Sequence, residues 1–101
     1  MAEAGSEAAR VVGERIRKLR NDYGISQMEL GDLAGMHFTN IGKIERGDVS
    51  PGLATLVRIS AALGTDPGDL VRGITLDQLP GKARRITVAD LLEAREREAR
   101  S

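Results

Sequence analysis

Residues 24–47 read GISQMELGDLAGMHFTNIGKIERG, and the spacing within this stretch decides the fold. Ser26 followed three residues later by Glu29 is a capping box, in which two side chains satisfy exposed backbone N–H groups at a helix start. Leu30, Leu33 and Ala34 then form the inner face of a short helix that Gly35 ends. A second short helix covers roughly residues 38–46, with Ile41 and Ile44 pointing inward and Gly47 as its stop. Only AGMH joins the two, so they must meet at a sharp angle. Gly31 sits in mid-helix, where glycine costs about 0.5–1 kcal/mol relative to alanine. Close approach of the two helices is a reason to tolerate that cost.

This geometry is that of a helix-turn-helix, and the outer face of its second helix is the candidate site. Thr39, Gly42, Lys43 and Arg46 recur at i, i+3, i+4 and i+7, opposite the two isoleucines. A helix held from behind in this way can enter a DNA major groove. There Lys43 donates to guanine O6 and N7, and Thr39 meets a base edge or a thymine methyl. Phe38 either touches thymine methyls or packs into the core. Arg46, at the helix end, suits a phosphate. Gln27, in the first turn of the preceding helix, suits another, because backbone N–H groups there favour anions. His37 is read as a cap that ends the turn, with phosphate contact as its alternative, and Asn40 is a further phosphate candidate.

Working outward, Val12, Ile16, Leu19 and Tyr23 make one apolar stripe on a preceding helix that Gly24 terminates. Residues 1–9 read as a flexible leader with Ser6 as a candidate N-cap. Downstream, Ser50 and Pro51 give a cap followed by a first-turn proline. Leu53, Leu56, Ile59 and Leu63 line one side of the helix that follows, up to Gly64. Asp66 and Pro67 repeat the signal for a short fifth helix with Leu70 and Val71. Residues 73–85 read as a linker with a turn at Pro80 and Gly81. A last helix runs from Thr87 to about Arg100, with a short apolar patch at Val88, Leu91 and Leu92 before an almost wholly charged end.

Composition narrows the functions available. The 101 residues contain no cysteine, one histidine (His37) and two aromatics, Tyr23 and Phe38. That removes disulfide frameworks and thiolate metal sites, and argues against base-stacking surfaces for single strands. A histidine-based triad or a glycine-rich phosphate loop is absent, so no enzyme and no cofactor are expected. No apolar run reaches the roughly 18–20 residues of a membrane span, and the start lacks a signal-peptide pattern, so the expected location is the cytoplasm. Net charge is zero, with 15 basic and 15 acidic residues. Nucleic-acid binding therefore needs a local patch. Residues 10–20 supply a basic run, read either as a solvated face or, at Arg17 and Lys18, as phosphate contacts.

The stretch resembles the Cro/CI-type helix-turn-helix of the Xre family of phage repressors and small bacterial regulators. Ser26 and Gln27, Leu30 and Gly31, Leu33 to Gly35, Ile41, Ile44 to Gly47, Ser50 and Pro51, Leu53, Leu56, Ile59 and Ala62 to Gly64 carry the likeness. It covers residues 10–72. The resemblance implies an all-α, five-helix lambda-repressor-like domain, here with a C-terminal linker and extra helix over residues 73–101. It also implies that the third helix is the reader, that Gln27 contacts a phosphate, and that an ion pair between Arg20 and Glu45 ties the first helix to the third. His37, Asn40 and Gly42 depart from residues common in the family, which bears on base preference rather than fold.

The expected function is a transcriptional regulator, read as a repressor, that binds a palindromic stretch of double-stranded DNA as a homodimer. Val57, Leu70, Val71, Ile74, Val88, Leu91 and Leu92 are the candidates for the dimer surface. The alternative is an antitoxin or other protein-binding module whose segment 74–101 engages a partner protein.

Overall fold

The computed structural model describes residues 3–81 and 85–101. Six α-helices follow one another: α1 (Glu7–Tyr23), α2 (Gln27–Ala34), α3 (Phe38–Glu45), α4 (Leu53–Leu63), α5 (Pro67–Val71) and α6 (Val88–Arg100). Two two-residue strands, β1 (Glu3–Ala4) and β2 (Val49–Ser50), pair antiparallel, with Glu3 opposite Ser50 and Ala4 opposite Val49. No helix is long and apolar enough to cross a membrane among the described residues.

The helix ends follow local chemistry. Ser6 caps α1 by accepting the Ala9 N–H at 3.1 Å. Ser26 and Glu29 form the full capping box of α2: the Ser26 hydroxyl accepts the Glu29 N–H at 3.0 Å, and the Ser26 N–H donates to Glu29 Oε1 at 2.9 Å. Asp66 caps α5 by accepting the Gly68 N–H at 2.6 Å, with Pro67 in the first turn. α1, α2 and α4 stop at Gly24, Gly35 and Gly64.

One core joins the first five helices: Val12 and Ile16 from α1, Leu30 and Ala34 from α2, Ile41 and Ile44 from α3, Leu56, Ile59 and Leu63 from α4, and Leu70 from α5. Two glycines let backbones meet across it. A Cβ on Gly13 would stand 2.2 Å from the Ile44 carbonyl oxygen, and one on Gly31 would stand 2.6 Å from the Met36 carbonyl oxygen. Gly13 is thus where α1 crosses the end of α3, and Gly31 is where α2 presses on the turn.

Several sequence expectations need correction. Tyr23 is 62% exposed, because α1 has run past the core by its last residue. Leu33 is 65% exposed: α2 buries Leu30, Gly31 and Ala34, and at about 100° per residue Leu33 falls on the opposite flank of that arc. Leu53 is 77% exposed at the first position of α4, beyond the core's edge. Ser50 does not cap α4. Its backbone is taken up by β2, and Gly52 holds the cap position with no side-chain bond. The expected leader over residues 1–9 contains β1 and the first turn of α1, where Ala8 and Ala9 are already buried. The linker carries a 3-10 turn at Leu76–Gln78, and part of it, residues 82–84, lies outside the described residues. α6 starts at its expected cap, Thr87, and buries no residue.

Candidate nucleic-acid interface

The position of α3 is set from three sides. Ile41 and Ile44 are buried in the core behind it. Gly13 admits α1 against its last turn. Glu45, 5% exposed, is gripped by Arg20, with Nε to Oε2 at 2.6 Å and Nη2 to Oε1 at 3.0 Å. Arg20 also donates from Nη1 to the Ile25 carbonyl at 2.8 Å, and Gln27 donates from Nε2 to Glu45 Oε1 at 3.1 Å. One carboxylate therefore collects α1, the α1–α2 turn and the start of α2 onto the end of α3. The side-chain hydrogen bond to Glu45 is the main cause that pushes the Arg20 guanidinium above its ordinary value. A two-pronged arginine–carboxylate contact fixes orientation as well as distance.

The start of α3 is capped by an imidazole. His37 Nδ1 accepts the Thr39 N–H at 3.1 Å, and the His37 and Phe38 rings stack with centroids 4.5 Å apart. Accepting through Nδ1 requires that nitrogen to be unprotonated. The capping expectation for His37 matches this placement. Phe38 takes neither extreme of its two readings: it is 42% exposed, with one face covered by His37.

Phe38, Thr39, Asn40, Lys43 and Arg46 form the open face of α3. Among the described residues Lys43 enters no ion pair. Asn40 and Lys43 border a groove of about 650 Å³ that continues past Met36 to Pro51 and Leu53, at the start of α4. Arg46 Nε contacts Asp48 Oδ2 at 3.0 Å, and both side chains are more than half exposed. Sequence reading did not single out Asp48, although its place two residues beyond an exposed arginine was a usable signal.

Two expectations about the site change. Gly42 was expected on the outer face beside Thr39 and Lys43, as a base contact. It is buried, and the Gln27 amide and the Arg46 guanidinium close over it. The basic run over residues 10–20 is largely committed within the chain. Arg10 pairs with Glu7 and Glu14, Arg15 donates to the Leu70 carbonyl, Lys18 pairs with Asp22, and Arg20 pairs with Glu45. Arg17, the other phosphate candidate of this run, is exposed and, like Lys43 on α3, enters no ion pair among the described residues.

Of the dimer candidates, Val57, Val71, Val88, Leu91 and Leu92 are exposed. Ile74 is half-buried against the core. Leu70 is fully buried in the core of its own chain and is not available to a partner.

Comparison with known proteins gives the same picture. A family model described as Helix-turn-helix matches residues 16–70. A prophage-derived, uncharacterized HTH-type transcriptional regulator of Bacillus subtilis is 38% identical over 61 residues, covering 60% of this chain and 56% of that protein. The control protein C.SmaI of Serratia marcescens is 36% identical over 55 residues, covering 54% of this chain and 66% of that one. The chain thus spans between about half and two thirds of these relatives. Among solved structures, the P22 c2 repressor in complex with a synthetic operator is 34% identical, with a TM-score of 0.60, over 63% of this chain and 97% of that one. The restriction-modification controller C.AhdI of Aeromonas hydrophila is 32% identical, also at 0.60, over 61% and 94%. With more than half its length matched by the family model and with its five core helices arranged as in Cro/CI-like repressors, the chain belongs to the helix-turn-helix family, in its Xre-type branch.

Proposed function

We propose that the protein is a sequence-specific DNA-binding transcriptional regulator, acting as a repressor, that places α3 in the major groove of a palindromic operator as a homodimer. The observation that carries this is the open face of α3, where Thr39 and Lys43 stand clear of intramolecular ion pairs while Ile41, Ile44 and Glu45 fix the helix from behind. Lys43 reads a guanine edge and Thr39 an adjacent base. Phe38 flanks them against thymine methyls. Gln27, His37, Asn40 and Arg46 surround this row and contact phosphates, which set register but carry no sequence information. The reading involves no catalytic step and no cofactor, and it places the protein in the cytoplasm with the DNA.

One reader helix covers only a few base pairs. Two related by a dyad read half-sites about 34–36 Å apart. The exposed Val57 on α4 and Val71 at the end of α5, with the half-buried Ile74 that follows it, are the apolar residues offered to that dyad.

The test is selection from a random-sequence DNA pool, followed by fluorescence anisotropy at two salt concentrations with wild type and Lys43→Ala. The reading expects a palindrome bound well above background, weakened by salt, whose preference is blunted in the variant. Binding with no selected sequence would overturn it.

A second reading is favoured by α6, which exposes Val88, Leu91 and Leu92 and buries nothing. In it, residues 74–101 engage a partner protein, as the corresponding segment of an antitoxin does. Polar substitution of those three residues then abolishes partner capture and leaves operator binding intact.

A further inference from the structure

Gly42 has no side chain, and two polar groups use the space. At the point where its Cβ would stand, the nearest atoms are Arg46 Nη1 at 3.1 Å, Gln27 Oε1 at 3.4 Å and Gln27 Nε2 at 3.7 Å. One side chain comes from the first turn of α2 and the other from the C-cap of α3, and they converge on one spot. Gln27 Nε2 gives one hydrogen to Glu45, which leaves its second for an outside acceptor. Among the described residues the Arg46 side chain is held by Asp48 alone, an exposed pair of the kind that contributes little and exchanges readily.

We infer that Gly42 is the floor of a clamp in which Gln27 and Arg46 together hold a single backbone phosphate of the DNA. Gly42 is therefore a positioning residue and not a base-reading one. The clamp rests on the DNA-binding reading above and makes it more specific. The glutamine is pinned by Glu45, which is itself pinned by Arg20, so this arm arrives in place. The arginine arm swings between Asp48 and the phosphate. Asp48 competes for it, and so sets how tightly the protein holds any DNA, whatever its sequence.

The geometry makes Gly42→Ala an unusually clean probe. The added methyl meets no backbone of another segment, only the ends of two flexible side chains. It also replaces a glycine inside a helix, which favours folding. The expected result is a raised Tm together with about tenfold weaker binding to every DNA sequence alike, the loss of roughly one charge-assisted contact. The salt dependence of binding should fall by about one phosphate contact, as it should for Arg46→Ala. The two substitutions should not add, because each removes the same arm. Asp48→Asn should strengthen binding to all sequences.

Unchanged affinity in Gly42→Ala would overturn the clamp. So would a changed sequence preference, which would put position 42 against a base, or additivity with Arg46→Ala. Failure of the wild type to bind DNA in a salt-dependent way would instead remove the DNA-binding reading, and the clamp with it.

Discussion

Arg20 reaches across from α1 to hold both oxygens of Glu45 at the end of α3, at 2.6 and 3.0 Å, and among the described residues no other ion pair is as buried. Removing one partner strands the other. Truncating Arg20 to alanine should destabilise the fold by about 3–5 kcal/mol, read as a shift in the urea midpoint, because Glu45 would be left buried and unpaired. Replacing both residues with apolar ones should cost much less. A single-residue loss under about 1 kcal/mol would mean that water reaches the carboxylate once the arginine is gone.

The capping box of α2 gives a pH dependence with a definite sign. Accepting the Ser26 backbone N–H, and then its hydroxyl, lowers the Glu29 carboxyl below its ordinary 4.5. A group depressed in the folded state contributes stability that is present above its unfolded value and lost as pH falls through its folded one. Wild type should therefore lose this contribution below about pH 4.5, while Glu29→Gln should lack that part of the acid dependence. Thermal unfolding from pH 3 to 7 checks it. Ser26→Ala should cost about 1 kcal/mol throughout.

Gly31→Ala should destabilise the protein even though alanine favours helix. Its methyl would sit 2.6 Å from the Met36 carbonyl oxygen, which is backbone and has no easy way to yield. Strain of this kind costs about 1–3 kcal/mol. Gly13→Ala, facing the Ile44 carbonyl at 2.2 Å, should be worse. A stabilised Gly31→Ala would show that α2 and the turn are not in close contact in solution.

If the dimer is made by α4 and α5, Val57→Lys and Val71→Lys should give a monomer by sedimentation velocity and weaken operator binding steeply. Polar substitution of Val88, Leu91 and Leu92 should leave the oligomer unchanged. The reverse pattern would assign self-association to α6.

Much of this fold is written in the chain at short range. The glycine stops, the Ser26–Glu29 box and the paired isoleucines of α3 are local signals, and they place the first five helices within a residue or two. The Arg20–Glu45 pair joins residues far apart in sequence and came from family resemblance, since neither spacing nor composition points to it. Faces were harder to read than helices. Leu33 and Leu53 have the right character for a core, but which arc of a helix is buried depends on how its neighbours approach, and Gly31 turns α2 away from Leu33. Gly42 was misplaced for a related reason. Its position on the wheel lies at the edge of the buried arc, and only the side chains of Gln27 and Arg46 decide that it is covered. The β1–β2 pairing has no sequence signature, because two residues are too few to show alternation.

That small pairing has a practical consequence for instrumenting the molecule. Glu3 lies opposite Ser50, so a fluorophore or photo-crosslinker attached by way of β1 is tied to the segment that leaves α3. A reporter placed after Arg100 rides on a helix that buries no residue. The two attachment points make one protein into two different instruments, the first reporting on the segment that leaves α3 and the second on the tail.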